Sequence, residues 1–239
     1  MTVDPPKCWI CGEDAATREH LAKASDLKSL FGTPTRTDPL YFHVDARPGA
    51  QPRRNVPVGS LKSRTLKFEH RICLKCNSAR TQPHDRAWEL CSAELRKDLG
   101  RLQQAGSFRA NWLFPYDTRR GMLNMHLYFV KLFGCQLVEG GVPIDIAPFG
   151  QALLQETPHP NLYLSFGPSD MPVKLAGGSD MVVAYFDDGK PAFASWFYTV
   201  GDLSVNVMYA AKGEKRAGLD RAWHPRMGAK RLVFAPFSS

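Results

Sequence analysis

Two Cys-x-x-Cys pairs in the first third of the chain are its clearest chemical signal. Their thiols belong to Cys8, Cys11, Cys73 and Cys76. Each pair can present two sulfurs from one tight turn, and two such pairs can close a tetrahedral zinc site. We therefore predict a structural zinc ion that joins two segments lying far apart in the sequence.

A carboxylate, an imidazole and an amide lie close to these cysteines in the sequence. Glu19 is followed directly by His20, and Asn77 directly follows the last cysteine of the second pair. A neutral imidazole, with an ordinary pKa of about 6.5, is a suitable general base at cellular pH. An acid, a base and an amide therefore lie next to the predicted zinc ligands in the sequence.

A markedly basic stretch runs from Arg47 to Arg80, and Glu69 is its main acidic residue. Such a stretch is either an ordinary solvated surface or a surface that faces phosphate groups. The whole chain of 239 residues has a net charge of +8, so nucleic acid is the leading candidate partner. The side chains that we assign to phosphate binding are Arg53, Arg54, Lys62, Arg64 and Arg80.

The order of these motifs resembles the HNH endonucleases, a family with a zinc-stapled ββα-metal core. The resemblance covers the first third of the chain and is carried by Cys8-Trp9-Ile10-Cys11-Gly12, Thr17-Arg18-Glu19-His20-Leu21 and Cys73-Leu74-Lys75-Cys76-Asn77-Ser78-Ala79-Arg80. It implies metal-dependent hydrolysis of DNA phosphodiester bonds, with His20 as the general base. It also implies Glu19 and Asn77 as ligands of Mg²⁺ or a similar ion, and Arg80 as a clamp on a phosphate oxygen.

The chain departs from the family pattern at several positions. Many members carry His where Asn77 stands, and the middle Asn of the family name has only Asn55 as a candidate here. His84 and Asp85 lie about two helical turns beyond Asn77, so either could complete the ion site. Asp85 could equally be a surface charge or a helix cap.

Other interpretations of the same residues stay open. A catalytically silent zinc module would keep the cysteines and the basic stretch for binding nucleic acid or protein. A further interpretation places the function in the carboxyl-terminal half. A second basic cluster there, from Lys212 to Arg231, either extends a DNA-binding surface or is ordinary solvated surface. Glu69-His70 is a second acid-His pair, but its position directly before the second Cys pair argues against a catalytic role.

The elements that must position these residues are those of an α+β protein. Apolar residues at three- and four-residue steps predict helices at 85–104, 119–136 and 147–156. Runs of aromatic and branched residues predict strands at 162–166, 181–186, 193–200, 204–209 and 231–234, with a tight turn at Asp188-Gly189. We predict a zinc-stapled, treble-clef-like HNH module with its following helix in residues 1–104, and a domain of helices on a mainly antiparallel sheet in residues 105–239.

The composition predicts a cytoplasmic protein with DNA as its partner and no membrane association. No run approaches the roughly 20 apolar residues that cross a bilayer, and the first residues lack the pattern of a secretory signal. In a reducing compartment, paired cysteines hold metal more often than they form disulfides. Cys91 and Cys135 lie within apolar helical patterns, so we predict that they are packing residues. A homodimer, which would bring one site to each DNA strand, is compatible with this prediction.

Overall fold

The fold combines helices with a mainly antiparallel sheet, as the computed structural model of the chain shows for residues 6–44, 51–171, 174–216, 219–228 and 230–237. This confirms the predicted α+β class. Across these residues, no helix is both long and apolar enough to cross a membrane.

The three predicted helices are confirmed, with one of them divided. The helices of the described residues are α1 (Ala24–Phe31), α2 (Leu74–Asn77), α3 (Gln82–Lys97), α4 (Leu99–Ala105), α5 (Ala110–Leu113), α6 (Thr118–Gly140) and α7 (Ala147–Gln155). The helix predicted at 85–104 is split into α3 and α4 at Asp98. Helix α6 is buried along most of its length, because it lies between α3 on one side and α7 on another.

The five predicted strands are also confirmed. The strands of the described residues are β1 (Leu40–Val44), β2 (Arg53–Val58), β3 (Ser107–Arg109), β4 (Leu162–Pro168), β5 (Ala176–Gly178), β6 (Val182–Tyr185), β7 (Pro191–Val200), β8 (Leu203–Ala210) and β9 (Arg231–Val233). The largest sheet has the order β4-β8-β7-β5, and β6 also pairs with β7. The tight turn at Asp188-Gly189 joins β6 to β7, and Gly189 supplies the left-handed φ of 79° that this turn needs. Two further antiparallel pairs, β1 with β2 and β3 with β9, lie outside this sheet.

The apolar core runs without a break across residue 104. Trp88 of α3 stacks on Tyr128 of α6, with ring centroids 5.5 Å apart, and meets Tyr198 of β7 edge-on at 5.7 Å. The buried carboxylate of Asp26 in α1 accepts hydrogen bonds from Trp88 Nε1 at 2.8 Å and from the Tyr198 hydroxyl at 3.3 Å. The division into domains 1–104 and 105–239 stays a prediction, and any such division has to include this shared core.

Two glycines bring the first Cys pair into close contact with helices α6 and α7. A Cβ atom on Gly134 of α6 would lie 2.4 Å from the ring of Trp9, and one on Gly150 of α7 would lie 2.9 Å from the carbonyl oxygen of Ile10. Trp9 and Ile10 stand between the two cysteines of the first pair. Because Gly134 and Gly150 have no Cβ atom, the turn that carries Cys8 and Cys11 can pack directly against these two helices.

We predict that Gly134→Ala lowers the free energy of unfolding by about 1–3 kcal/mol, because its Cβ overlaps the Trp9 ring. Gly100→Ala in α4 is the matched control, since a Cβ there meets nothing within 4 Å. The control should gain up to about 1 kcal/mol from helix propensity. Urea denaturation measures both values, and equal gains in stability for the two variants would contradict the contact.

Candidate functional site

The four predicted zinc ligands lie together. The Sγ atoms of Cys8, Cys11, Cys73 and Cys76 are all within 4.8 Å of one another, and those of Cys11 and Cys73 are 3.5 Å apart. Tetrahedral zinc with bonds of about 2.3 Å places its sulfurs about 3.8 Å apart, so the cluster fits this metal. In the described part of the chain this is the only group of three or more His, Cys, Asp or Glu side chains with metal-binding geometry. Cys91 and Cys135 are buried outside it, as predicted for packing residues.

Backbone groups shape both Cys turns. In the first turn, the N–H of Gly12 donates to the carbonyl of Cys8 at 2.8 Å, and Gly12 has a left-handed φ of 78°. In the second, the N–H of Cys76 donates to Cys73 Sγ at 3.3 Å at the start of α2. Although burial raises it, the backbone of Glu13 and the neighbouring thiols lower the pKa of Cys11 to about 7. The thiolate form that binds metal is therefore favoured at Cys11, whereas burial raises the pKa of the Cys8 and Cys76 thiols.

Arg80 faces the cysteine cluster. Its Nη1 donates a hydrogen bond of 2.7 Å to Cys76 Sγ. Zinc with four thiolates carries two net negative charges, and a guanidinium at this position neutralises part of them. The guanidinium has further N–H donors besides the one that contacts Cys76. The predicted contact of Arg80 with a phosphate therefore stays a prediction.

Two short segments between the Cys pairs run antiparallel and lead into the helices that follow. The N–H groups of Thr17 and Ile72 each donate to the other residue's carbonyl, at 3.0 and 2.9 Å, and the N–H of Leu21 donates to the carbonyl of Leu66 at 2.9 Å. Asn77 ties the first segment to α2, since its Nδ2 donates to Thr17 Oγ1 and to the carbonyl of Arg18, each at 3.1 Å. The amide nitrogen of Asn77 thus holds the strand that leads to Glu19 and His20.

Glu19 is buried and binds a lysine ammonium. Its Oε2 lies 2.6 Å from Nζ of Lys131, and its Oε1 accepts a hydrogen bond of 2.8 Å from the His20 backbone N–H. Lys131 comes from the middle of α6 and is 0% exposed. Its ammonium also donates to Asp85 Oδ1 at 2.8 Å and to Thr81 Oγ1 at 3.3 Å. Two carboxylates from separate segments therefore share one buried cation.

Each carboxylate of this cluster already faces an ammonium group. Lys23 Nζ lies 3.3 Å from Asp85 Oδ2 and 3.4 Å from Oε1 of the more exposed Glu89, so Lys131 and Lys23 together pair with Glu19, Asp85 and Glu89. Although burial would raise it, Lys131 and Lys23 lower the pKa of Asp85. Although burial would lower it, the carboxylates of Glu19 and Asp85 raise the pKa of Lys131. Asp85 and Lys131 are therefore charged at neutral pH.

This arrangement does not fit a catalytic Mg²⁺. A divalent ion bound by Glu19 and Asp85 would have to displace the Lys131 ammonium and would leave an excess of positive charge in a buried site. Lys131 was missed in the sequence because no motif surrounds it. The available signal was a single lysine in the middle of a long helical run of apolar residues, where a buried charge requires a partner.

His20 lies half-buried at the end of the first of the two paired segments, opposite Lys67. Burial lowers the pKa of the His20 imidazole, the charge of Glu19 opposes this, and Lys67 and the backbone carbonyl of Leu61 act in opposite directions on it. The net shift is downward, so the ring is neutral at cellular pH. A neutral imidazole is the form that a general base requires.

The rival histidines have structural partners. His70 Nδ1 lies 2.8 Å from Glu139 Oε2, which also accepts the His70 backbone N–H at 3.0 Å. His84 is buried and its Nδ1 lies 3.1 Å from Asn124 Oδ1, and burial lowers the pKa of His84 to about 4.

Asn55, the candidate for the middle Asn of the family name, is exposed on β2 with a left-handed φ of 53°.

Four of the five side chains assigned to phosphate binding are exposed, and Arg80 is partly buried. Arg53 and Arg54 begin β2, Lys62 lies in the turn that follows β2, and Arg64 begins a short 3-10 helix, Arg64–Leu66. Arg64 is already paired, with its Nη2 2.6 Å from Glu69 Oε2. Arg47, which opens the basic stretch in the sequence, lies outside the described residues.

Comparisons with known proteins assign no family to the chain. No match was found among protein-family models, curated proteins or solved structures. The functional argument therefore depends on the chain's own residues and their geometry.

We predict that the purified protein holds one zinc ion per chain and that Cys11→Ser removes it, because a tetrahedral site needs all four sulfurs. Cys91→Ala, which deletes a buried thiol outside the cluster, should keep the full zinc content. Elemental analysis of both variants gives the answer. Equal zinc content in the two variants, or none in the wild type, would contradict the assignment.

We predict that Lys131→Met lowers the free energy of unfolding by about 3–5 kcal/mol, because it leaves Glu19 and Asp85 buried without their shared cation. Adding Glu19→Gln to this variant should restore part of the loss, since it removes one unpaired charge. The exposed Lys28→Met of α1 is the control and should stay within about 0.5 kcal/mol of wild type. A loss in Lys131→Met no larger than in the control would refute the pairing.

Proposed function

We propose that the protein is an endonuclease of the HNH type, which hydrolyses DNA phosphodiester bonds with His20 as the general base. One observation carries the proposal: a neutral, half-buried imidazole stands directly after a buried carboxylate, at the end of a strand that leads from the first Cys turn. An imidazole in this state can take a proton from a water molecule that attacks phosphorus.

The surroundings of His20 support the proposal. Residues 17–21 and 66–72 pair in antiparallel fashion, and the helical segment that begins with α2 follows directly. A strand, a second strand and a helix, with the four cysteines at their junction, is the order that the resemblance to ββα-metal nucleases implies. Asn77 ends α2 and contacts the first paired segment, and Arg80, in the turn between α2 and α3, contacts Cys76.

The chemistry assigned to the chain's own residues is proton transfer and charge stabilisation. His20 removes a proton from the water molecule as its oxygen bonds to phosphorus, the bond from phosphorus to the leaving sugar oxygen breaks, and solvent supplies the proton to that oxygen. His20 is neutral before this step because burial disfavours the imidazolium and lowers the pKa of the ring. Lys67, paired across from His20, supplies a positive charge beside the negative charge that develops on phosphate. The exposed Arg53 and Arg54 bind the DNA backbone. No step is assigned to a divalent ion, because Glu19 and Asp85 hold Lys131.

A second candidate is a catalytically silent zinc module that binds nucleic acid through its basic surface. The observation that favours it is the ammonium of Lys131 between the two carboxylates that would otherwise serve an ion. The exposed cations are equally useful to a protein that binds DNA without cutting it.

A plasmid-nicking assay tests the proposal. Wild type should convert supercoiled plasmid to the nicked form, and His20→Ala should be slower by at least about 100-fold, the usual contribution of a general base. His70→Ala is the matched control, because His70 is an exposed histidine that is bound to Glu139. This variant should cut at the wild-type rate.

The alternative outcomes separate the two candidates. Cutting by His20→Ala at the wild-type rate would remove His20 from the mechanism. No cutting by wild type, together with DNA binding that Arg53→Gln and Arg54→Gln weaken, would replace the nuclease with the silent binding module.

A further inference from the structure

A basic cleft opens at the beginning of helix α6, away in sequence from the cysteines and His20. Its volume is about 950 Å³, and its walls come from the end of β3, the first turns of α6 and residues 223–228 and 230–231. None of its lining residues belongs to the cysteine cluster or to the Glu19-His20 site. Its function is therefore a separate question.

The cleft gathers cations without counterions. The cationic side chains that line it are Arg109, Arg119, Arg226, Lys230 and Arg231, and no Asp or Glu lines it. Within the part of the chain that the structure describes, none of these five forms an ion pair, and Arg231 donates only to the neutral Ser107 Oγ at 3.3 Å. Five like charges around one cleft repel one another, and an anion bound there would relieve this repulsion.

The inner wall of the same cleft is apolar. Trp223 and Met122 line it and are 6% and 5% exposed, and Leu123, Pro158 and Pro225 extend this surface. The volume is that of a site for a small organic molecule, which usually combines an apolar surface with a few polar anchors. A simple inorganic anion would leave this apolar wall unused.

Helix α6 begins beside the cleft, and its first residue, Thr118, is part of the lining. Asp117 caps this helix by accepting the Arg120 backbone N–H at 3.1 Å, so its carboxylate offsets the partial positive charge of the helix end. The preference of the cleft for an anion therefore depends on its five cations, which suit a group that carries more than one negative charge.

We propose that this cleft binds a phosphorylated nucleoside, with the phosphate on the arginines and the base against the apolar wall. A nucleotide combines a compact anion of high charge with a flat, mainly apolar ring, and both parts of the cleft are then used. The same chemistry occurs in a free mononucleotide and at the 5′-phosphate end of a nucleic-acid strand. The proposal goes beyond the proposed nuclease activity, because it requires neither His20 nor cleavage.

Isothermal titration calorimetry tests the proposal with four probes: adenosine monophosphate, adenosine, inorganic phosphate and a short 5′-phosphorylated oligonucleotide. Adenosine monophosphate or the oligonucleotide should bind saturably, and both adenosine and inorganic phosphate should bind at least about tenfold more weakly. The double variant Arg119→Gln, Arg226→Gln should weaken nucleotide binding by at least about tenfold, because two charge-assisted contacts are lost.

The matched control is the double variant Arg36→Gln, Lys97→Gln, which removes two exposed charges outside the cleft and should bind like wild type. His20→Ala should also bind like wild type, so that failure of the nuclease proposal and failure of this one are distinguishable. Circular dichroism confirms that each variant is folded. Tighter binding of the mononucleotide supports a free nucleotide as the source, and tighter binding of the oligonucleotide supports a strand end.

Four results would overturn the proposal. Three of them are no saturable binding of the mononucleotide or the oligonucleotide, equal affinity for adenosine and its monophosphate, and unchanged affinity in the double variant of the cleft. The fourth is inorganic phosphate binding as tightly as the nucleotide, because the apolar wall would then contribute nothing.

Discussion

Four sulfur atoms, two from each Cys pair, meet where two distant parts of the chain come together. The elements around them are short: a tight turn at Cys8–Cys11, the paired segments 17–21 and 66–72, and the four-residue helix α2. Elements this small contribute little stability by themselves. A zinc ion bound by four thiolates contributes on the order of 10 kcal/mol at neutral pH, and closing a long loop adds only a slowly growing entropic cost. The positions of Glu19, His20 and Asn77 all depend on this junction.

Beside the junction, a buried lysine binds Glu19, one of the residues predicted to hold a divalent ion. Lys131 comes from α6, a helix of the other half of the chain, and binds Glu19 and Asp85. The part of the chain that carries the four cysteines is thus held by the rest of the molecule through an ion-pair cluster as well as through the contact of Trp9 with Gly134. A buried charge of this kind is costly to separate from its partners, which makes Lys131 a structural link between the first third of the chain and its largest helix.

The sequence predicted the features that repeat or that have fixed spacing. The cysteine cluster, the buried helix α6 and the strands β7 and β8 follow from motif spacing and apolar periodicity, and all are present. The helix α1, the hairpin of β1 and β2 and the short strands β3 and β5 were missed, because they are brief or polar and derive their stability from tertiary contacts. The partner of Glu19 could not be read from the sequence either. It depends on which residue of α6 faces residues 17–21, and that is decided by the packing of Gly134 and Gly150 against the Cys turn.

The junction of the two Cys pairs is tested most directly by X-ray absorption at the zinc edge of the purified protein. The account predicts a first shell of four sulfur atoms at about 2.3 Å from zinc. A shell with nitrogen or oxygen ligands in place of sulfur, or a protein that folds with no bound zinc, would contradict it.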